Sequence, residues 1–325
     1  MIVPQYWAEG RLQQRHKGKQ LTVRRFGWSD ISLADAQSMA DERTREAMLA
    51  LTSGRDVLRR EPKMPYNGAD GVPIREEVVS RHGPTVITRN IYGARCLNTP
   101  EALFVDIDLQ DNPPFALTLA VFATLMVTAV LLRHQFNSLM LMLVVAVLGL
   151  IYARPVAAEL LRVVRYFSAS AEELALRRIR AFVSAHPAWN LRVYRTPAGL
   201  RALATHATFS ADGGEASACF QALGADPNYA RMCRHQKCFR ARVSPKPWRI
   251  GIAGHIKPRP GVWPISPEHM PQRAAWIRAY EHAAQGFAAC QFIESSGSGH
   301  VHPEIAPVIE LHDHLCQATN ALPIA

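Results

Sequence analysis

Two aspartates spaced two residues apart give the chain its first chemical signal. The run Leu103-Phe104-Val105-Asp106-Ile107-Asp108 is apolar up to its carboxylates. It reads as a buried strand, and strand alternation sends Asp106 and Asp108 out from one face. Two carboxylates held side by side repel unless a cation lies between them, so the pair is a candidate Mg2+ or Mn2+ site. Metal-assisted phosphoryl or nucleotidyl transfer uses such pairs to hold metal and polyphosphate together. Solvated acids at a strand end would give the same pattern.

Arginines supply the matching positive charge. The run VYRTPAGLRALATH, residues 193–206, places Pro197-Ala198-Gly199 between two strand-like segments and so reads as a hairpin carrying Arg195 and Arg201. In the strand expected at 239–243, Arg240 and Arg242 share a face, where guanidinium groups can grip a phosphate bidentately. These four arginines are candidate phosphate ligands, although a solvated basic face explains them too. Cys233 and Cys238 are spaced more widely than the usual zinc-ligand pair and read as buried structural thiols. In the tail, His300 and His302 alternate, and His312 lies one helical turn before Cys316. These four are secondary metal candidates, against the plainer reading of capping and surface histidines.

The apolar Asp-x-Asp strand and the Thr196–Gly199 hairpin resemble the catalytic core of archaeo-eukaryotic primase-polymerases, whose Asp-x-Asp strand is followed by a Thr/Ser-Gly hairpin leading to a histidine. That resemblance covers part of the chain and implies metal binding at Asp106 and Asp108 with a nucleotide substrate. The chain departs from it at Arg201, which stands where that family has its histidine, while His206 lies further along. A third acidic position would fall to Glu294.

The segments that must carry these residues read as a mixed α+β chain. Before residue 114 we expect a strand at 20–28, a helix at 33–51, a turn-rich stretch at 62–74 and strands at 75–80, 85–92 and 102–108. After residue 154 we expect an amphipathic helix to 167, a helix opened by Ser170-Ala-Glu-Glu173, and the 191–206 hairpin. Two short helices follow, then strands at 239–243 and 248–253 and a Pro-rich linker at 257–271. The tail reads as helix 272–286, strand 287–294 and helix 304–319.

Between these halves lie two uncharged runs, FALTLAVFATLMVTAVLL (115–132) and FNSLMLMLVVAVLGLIYA (136–153). Eighteen helical residues span about 27 Å, close to the hydrocarbon core of a bilayer. Both runs therefore read as membrane-crossing helices, joined by Arg133-His134-Gln135. The fold class expected is thus an α+β cytoplasmic part with an inserted two-helix transmembrane hairpin. Its segments are 1–114, the hairpin 115–153, a basic segment 154–256 packing with 75–110, and a tail 257–325.

Charge and cysteine usage give a location. Residues 154–325 carry 20 Lys and Arg against 12 Asp and Glu, whereas 1–114 carry 16 against 15. Arginines cluster after the second run, so the positive-inside rule places both termini in the cytoplasm of a bacterial inner membrane. Six scattered cysteines fit reduced thiols, and the N-terminus lacks a secretory signal pattern. No Gly-rich phosphate loop, nucleophile elbow or dinucleotide fingerprint occurs. As a whole the chain looks like uncharacterised two-span proteobacterial membrane proteins, a likeness that implies location and no activity. Expected partners are the lipid bilayer and an anionic species: lipid, nucleotide or nucleic acid. Two functions follow as expectations: a membrane-anchored scaffold or interaction protein, and a membrane-tethered metal-dependent enzyme acting on phosphorylated substrates.

Overall fold

The computed structural model describes residues 3–59, 61, 73–109, 115–166, 170–259 and 263–325. The expected turns at 62–74 fall almost wholly outside these residues, as do Pro113, Pro114 and Phe167, and so does part of the Pro-rich linker. The described residues form a mixed α+β structure with eight α-helices and three small sheets. By compactness the chain divides into one unit of Met1–Ile107 with Arg180–Ala325 and a second of Asp108–Ile179.

In the first unit, β1 (Tyr6–His16) and β2 (Lys19–Ser29) pair antiparallel along their whole length. Helix α1 (Leu33–Thr52) opens on Ser32, whose hydroxyl accepts from the Asp35 amide at 3.1 Å. Ala36 and Ala40 of α1 pack directly on the ribbon. A Cβ at Gly27 would collide with their backbone, so glycine is required for this approach.

A second sheet is fully antiparallel, in the order β3 (Glu77–His82), β4 (Thr85–Arg89), β5 (Arg95–Thr99) and β9 (Phe239–Arg242). The third contains β6 (Phe104–Asp108), β7 (Asn190–Thr196), β8 (Gly199–Ala204) and β10 (Gln291–Gly297), ordered β10-β7-β8-β6. Each of these two four-stranded sheets thus joins strands from before the apolar runs to strands from after them, and β10 brings the tail into the third sheet. Helices α5 (Gly214–Leu223), α6 (Pro227–Gln236), α7 (Met270–Ala284) and α8 (Ala306–Cys316) complete this unit.

Three elements differ from the sequence reading. Strands β1 and β5 were not expected. Residues 248–253 hold the end of a 3-10 turn, Pro247–Arg249, and not a strand. Pro247 accounts for that, since it fixes its own backbone and cannot donate to a ladder.

The second unit holds α2 (Phe115–Phe136) and α3 (Leu139–Tyr166), packed on each other, and most of α4 (Ala171–Ala185). Helices α2 and α3 are long and apolar enough to cross a membrane. Phe115, Met140 and Leu150 are 81%, 76% and 71% exposed, so these side chains do not belong to a protein core. The hydroxyls of Thr124 and Thr128 donate back to the carbonyls of Ala120 and Thr124, both at 2.9 Å, which satisfies them inside the helix. Helix α3 continues through Pro155, so the second apolar run and the amphipathic helix expected after it are one continuous helix as far as Tyr166.

Candidate functional site

Asp106 sits on β6 with Phe104, Val105 and Ile107 buried around it. The Asp226 amide donates to its backbone carbonyl at 3.0 Å, fixing where the carboxylate emerges. The carboxylate accepts a fork from Arg201 of β8: Nε to Oδ1 at 2.8 Å and Nη2 to Oδ2 at 3.4 Å. Burial is the largest influence and opposes charge on Arg201, but Asp106 together with the nearby Cys290 and Cys316 outweighs it and raises the pKa. The countercharge that sequence reasoning assigned to a divalent cation is here a guanidinium. Arg201 Nη1 donates to the carbonyl of Arg242 at 3.0 Å and lies 3.4 Å from His312 Nε2. Its donors are therefore engaged within the protein and do not face a phosphate.

Arg240 is held in the same way. Both oxygens of Glu76 accept from its Nη2, at 2.8 and 2.7 Å, and both side chains are about 95% buried. The Thr88 hydroxyl adds a 2.6 Å bond to Glu76, and Asn98 Nδ2 donates to that hydroxyl at 3.0 Å. Such a pair is stable only because each charge has its partner.

Arg242 differs. Its Nε is sequestered from solvent without a hydrogen-bond partner among the described residues. It lines a pocket of about 240 Å³ together with Asp106, Arg240, Lys246, Tyr92 and Tyr229. Lys246 stands 5.4 Å from the Trp248 ring, and Trp248 meets Tyr92 edge-on at 5.3 Å. Glu76 and Asp106 hold the ion pairs of Arg240 and Arg201, and Arg242 and Lys246 add two further basic side chains to the pocket lining. A larger cleft of about 580 Å³ near His82 and Val308 carries Glu101 and Glu304 and no Lys or Arg. Of these two cavities, the smaller one carries the basic side chains. Asp108 is the exposed last residue of β6, where the chain enters the second unit. Arg195 is exposed on β7, in register with Gln291 and Leu200, and is not among the residues lining the pocket.

No protein-family model, curated protein or solved structure matches the chain. Its chemistry must therefore be argued from its own geometry.

The other feature is a cluster of Cys290, His312 and Cys316, all 0% exposed, with ligand atoms within 4.8 Å of one another. This buried group could hold a metal ion. His312 and Cys316 come from α8, and Cys290 immediately precedes β10. His312 Nε2 lies 3.5 Å from Cys316 Sγ and 3.9 Å from Cys290 Sγ. On its other side Nδ1 meets Asp313 Oδ1 at 3.0 Å, and Arg192 Nη2 holds Asp313 Oδ2 at 2.7 Å. His300 and His302 do not join this group. The Thr205 hydroxyl donates to the His300 carbonyl at 2.9 Å, and the Glu304 amide donates to His302 Nδ1 at 3.3 Å, so both shape a loop. Cys233 and Cys238 are buried thiols, the second pushed up to about 11 by desolvation. Glu294 is paired with Arg180 at 2.8 Å.

Sequence reasoning missed Cys290, Lys246 and Tyr92. Lys246 could have been suspected from its nearness to Arg242. Nothing in the spacing ties Cys290 to His312, 22 residues later.

Proposed function

We propose that the protein is a membrane-anchored cytoplasmic binding and interaction protein whose pocket takes the phosphate end of a small phosphorylated ligand. The single observation that carries this reading is the Arg242 guanidinium, whose buried Nε has no partner among the described residues and which stands beside Lys246 in a polar pocket. A buried donor left unsatisfied costs about 1–3 kcal/mol, and an incoming anion recovers it. The volume sets the ligand's extent: about 240 Å³ is below the ~300–1,000 Å³ of sites that engulf a whole ligand. It suits a phosphate group with part of a sugar. Tyr92 and Trp248 offer aromatic faces nearby for a base or ring. Helices α2 and α3 anchor this unit to the inner membrane, with both termini on the cytoplasmic side in keeping with the positive-inside rule.

A second reading is a metal-dependent enzyme acting on nucleotides, and one observation favours it: Asp106 lines the same pocket as Arg240 and Arg242. Mg2+ or Mn2+ at Asp106 would have to share a carboxylate that already serves Arg201.

Calorimetric titration separates the two. Full-length protein in detergent is titrated with inorganic phosphate and with ATP, each with and without Mn2+, alongside Asp106→Asn/Asp108→Asn. Saturable binding without Mn2+ supports the binding-protein reading. Binding that needs Mn2+ and vanishes in the double variant supports the enzyme. Absence of binding under every condition overturns both.

A further inference from the structure

We propose that Cys290, His312 and Cys316 form a structural Zn2+ site that clamps α8 to the start of β10. The inference stands apart from the pocket reading and needs no ligand there.

The geometry is that of a collapsed thiolate–imidazole site. Zinc binds sulfur at about 2.3 Å and histidine nitrogen at about 2.0–2.1 Å, so tetrahedral neighbours lie roughly 3.5–3.8 Å apart. The observed 3.5 Å from His312 Nε2 to Cys316 Sγ falls in that range, and the 3.9 Å to Cys290 Sγ lies just beyond it. The carbonyl oxygen of Arg242 lies 3.9 Å from Cys316 Sγ and accepts from Arg201 Nη1 at 3.0 Å, and among the described residues the cluster has three ligand side chains.

The orientation of His312 supports the same conclusion. Asp313 accepts from Nδ1, which leaves the Nε2 lone pair directed at the two sulfurs. A carboxylate–histidine–metal arrangement of this kind is the common outer support of zinc-binding histidines. Arg192 holds the carboxylate in place, and the rings of Tyr194 and Phe104 pack against the imidazole at 4.7 and 5.2 Å. The imidazole is thus fixed on both sides.

Charge balance is favourable. Two thiolates cancel Zn2+, so the buried site adds no net charge beside the Arg201–Asp106 pair. Arg201 Nη1 also lies 3.4 Å from Nε2, but its firm partners are Asp106 and the Arg242 carbonyl. Metal binding therefore leaves Arg201 satisfied. Complete burial of all three ligand side chains makes the site structural, since a catalytic zinc keeps a position open to solvent or substrate.

The test uses full-length protein in detergent, purified under reductant without chelator, loaded with Zn2+ and freed of excess. Elemental analysis should find one zinc per chain, retained in His300→Ala/His302→Ala and largely lost in Cys290→Ser and Cys316→Ser. Because a buried serine could disturb folding, wild-type protein is also loaded with Co2+. A thiolate-to-cobalt charge-transfer band is expected there, and Asp313→Asn should weaken zinc affinity about 10–100-fold while keeping the band. Wild type without stoichiometric zinc, or with Co2+ and no thiolate band, overturns the proposal. So does zinc retained in both serine variants.

Discussion

Asp106 and Arg201 are joined by a two-point fork, with Nε–Oδ1 at 2.8 Å, and this pair stands between the pocket and the cysteine–histidine cluster. Asp106 faces the pocket, and Arg201 reaches His312 on the other side. The pair and its neighbour Arg240–Glu76 hold charge inside the protein for different reasons. Arg201 and Arg240 are equally inaccessible, but Asp106 retains 31% exposure of its side chain and Glu76 only 4%.

That difference predicts a ranking. Glu76→Gln leaves Arg240 charged and uncompensated in a fully buried setting and should cost about 3–5 kcal/mol of stability. Asp106→Asn should cost less, because water screens its carboxylate in part. Denaturant unfolding of the detergent-solubilised protein, followed by tryptophan fluorescence, measures both. The opposite order would show that burial does not govern these pairs.

Gly27 makes the second prediction. Any Cβ there meets the backbone of Ala36 and Ala40, which cannot yield as a flexible side chain could. Gly27→Ala should push α1 off the ribbon and cost about 1–3 kcal/mol. The control is Gly18→Ala. It lies in the β1–β2 turn at a φ of +75° with open space around it, and its cost comes from backbone strain alone. Amide exchange along α1 should accelerate in the Gly27 variant and stay unchanged in the Gly18 variant.

The third prediction concerns α2 and α3. Both helices present large apolar side chains outward, so the protein should stay with membranes through alkaline carbonate washing. Reporter fusions to either end should both be active in the cytoplasm, because two crossings return the chain to its starting side. Release by carbonate, or reporters active on opposite sides, would reject the membrane hairpin.

Some of this was readable in the sequence because the signal was local. The apolar runs, the Thr196–Gly199 turn and the buried strand before Asp106 each follow from neighbouring residues. The strand β1 was missed because its inward positions Ala8 and Gly10 are small, so their alternation with exposed Glu9, Arg11 and Gln13 carries little apolar signal, and β5 because Arg95, Asn98 and Thr99 make it read as polar although it is largely buried. Arg201 and Arg240 had the right type for phosphate ligands, but their carboxylate partners lie 95 and 164 residues away. Spacing along the chain carries no information about such pairs. Cys290 and His312 meet for the same reason: the Ala289 amide donates to the Cys316 carbonyl at 2.9 Å, which joins the entry of β10 to the end of α8.

The most direct test of the pocket assignment is phosphate and ATP affinity in Arg242→Gln, with Arg195→Gln as control and thermal unfolding to confirm that both variants are folded. The account predicts that Arg242→Gln weakens binding about tenfold to a hundredfold, the worth of a charge-assisted hydrogen bond. Arg195→Gln should bind like wild type, since Arg195 does not line the pocket. Equal affinity in the two variants, with both folded, would contradict the assignment of this pocket as the anion site.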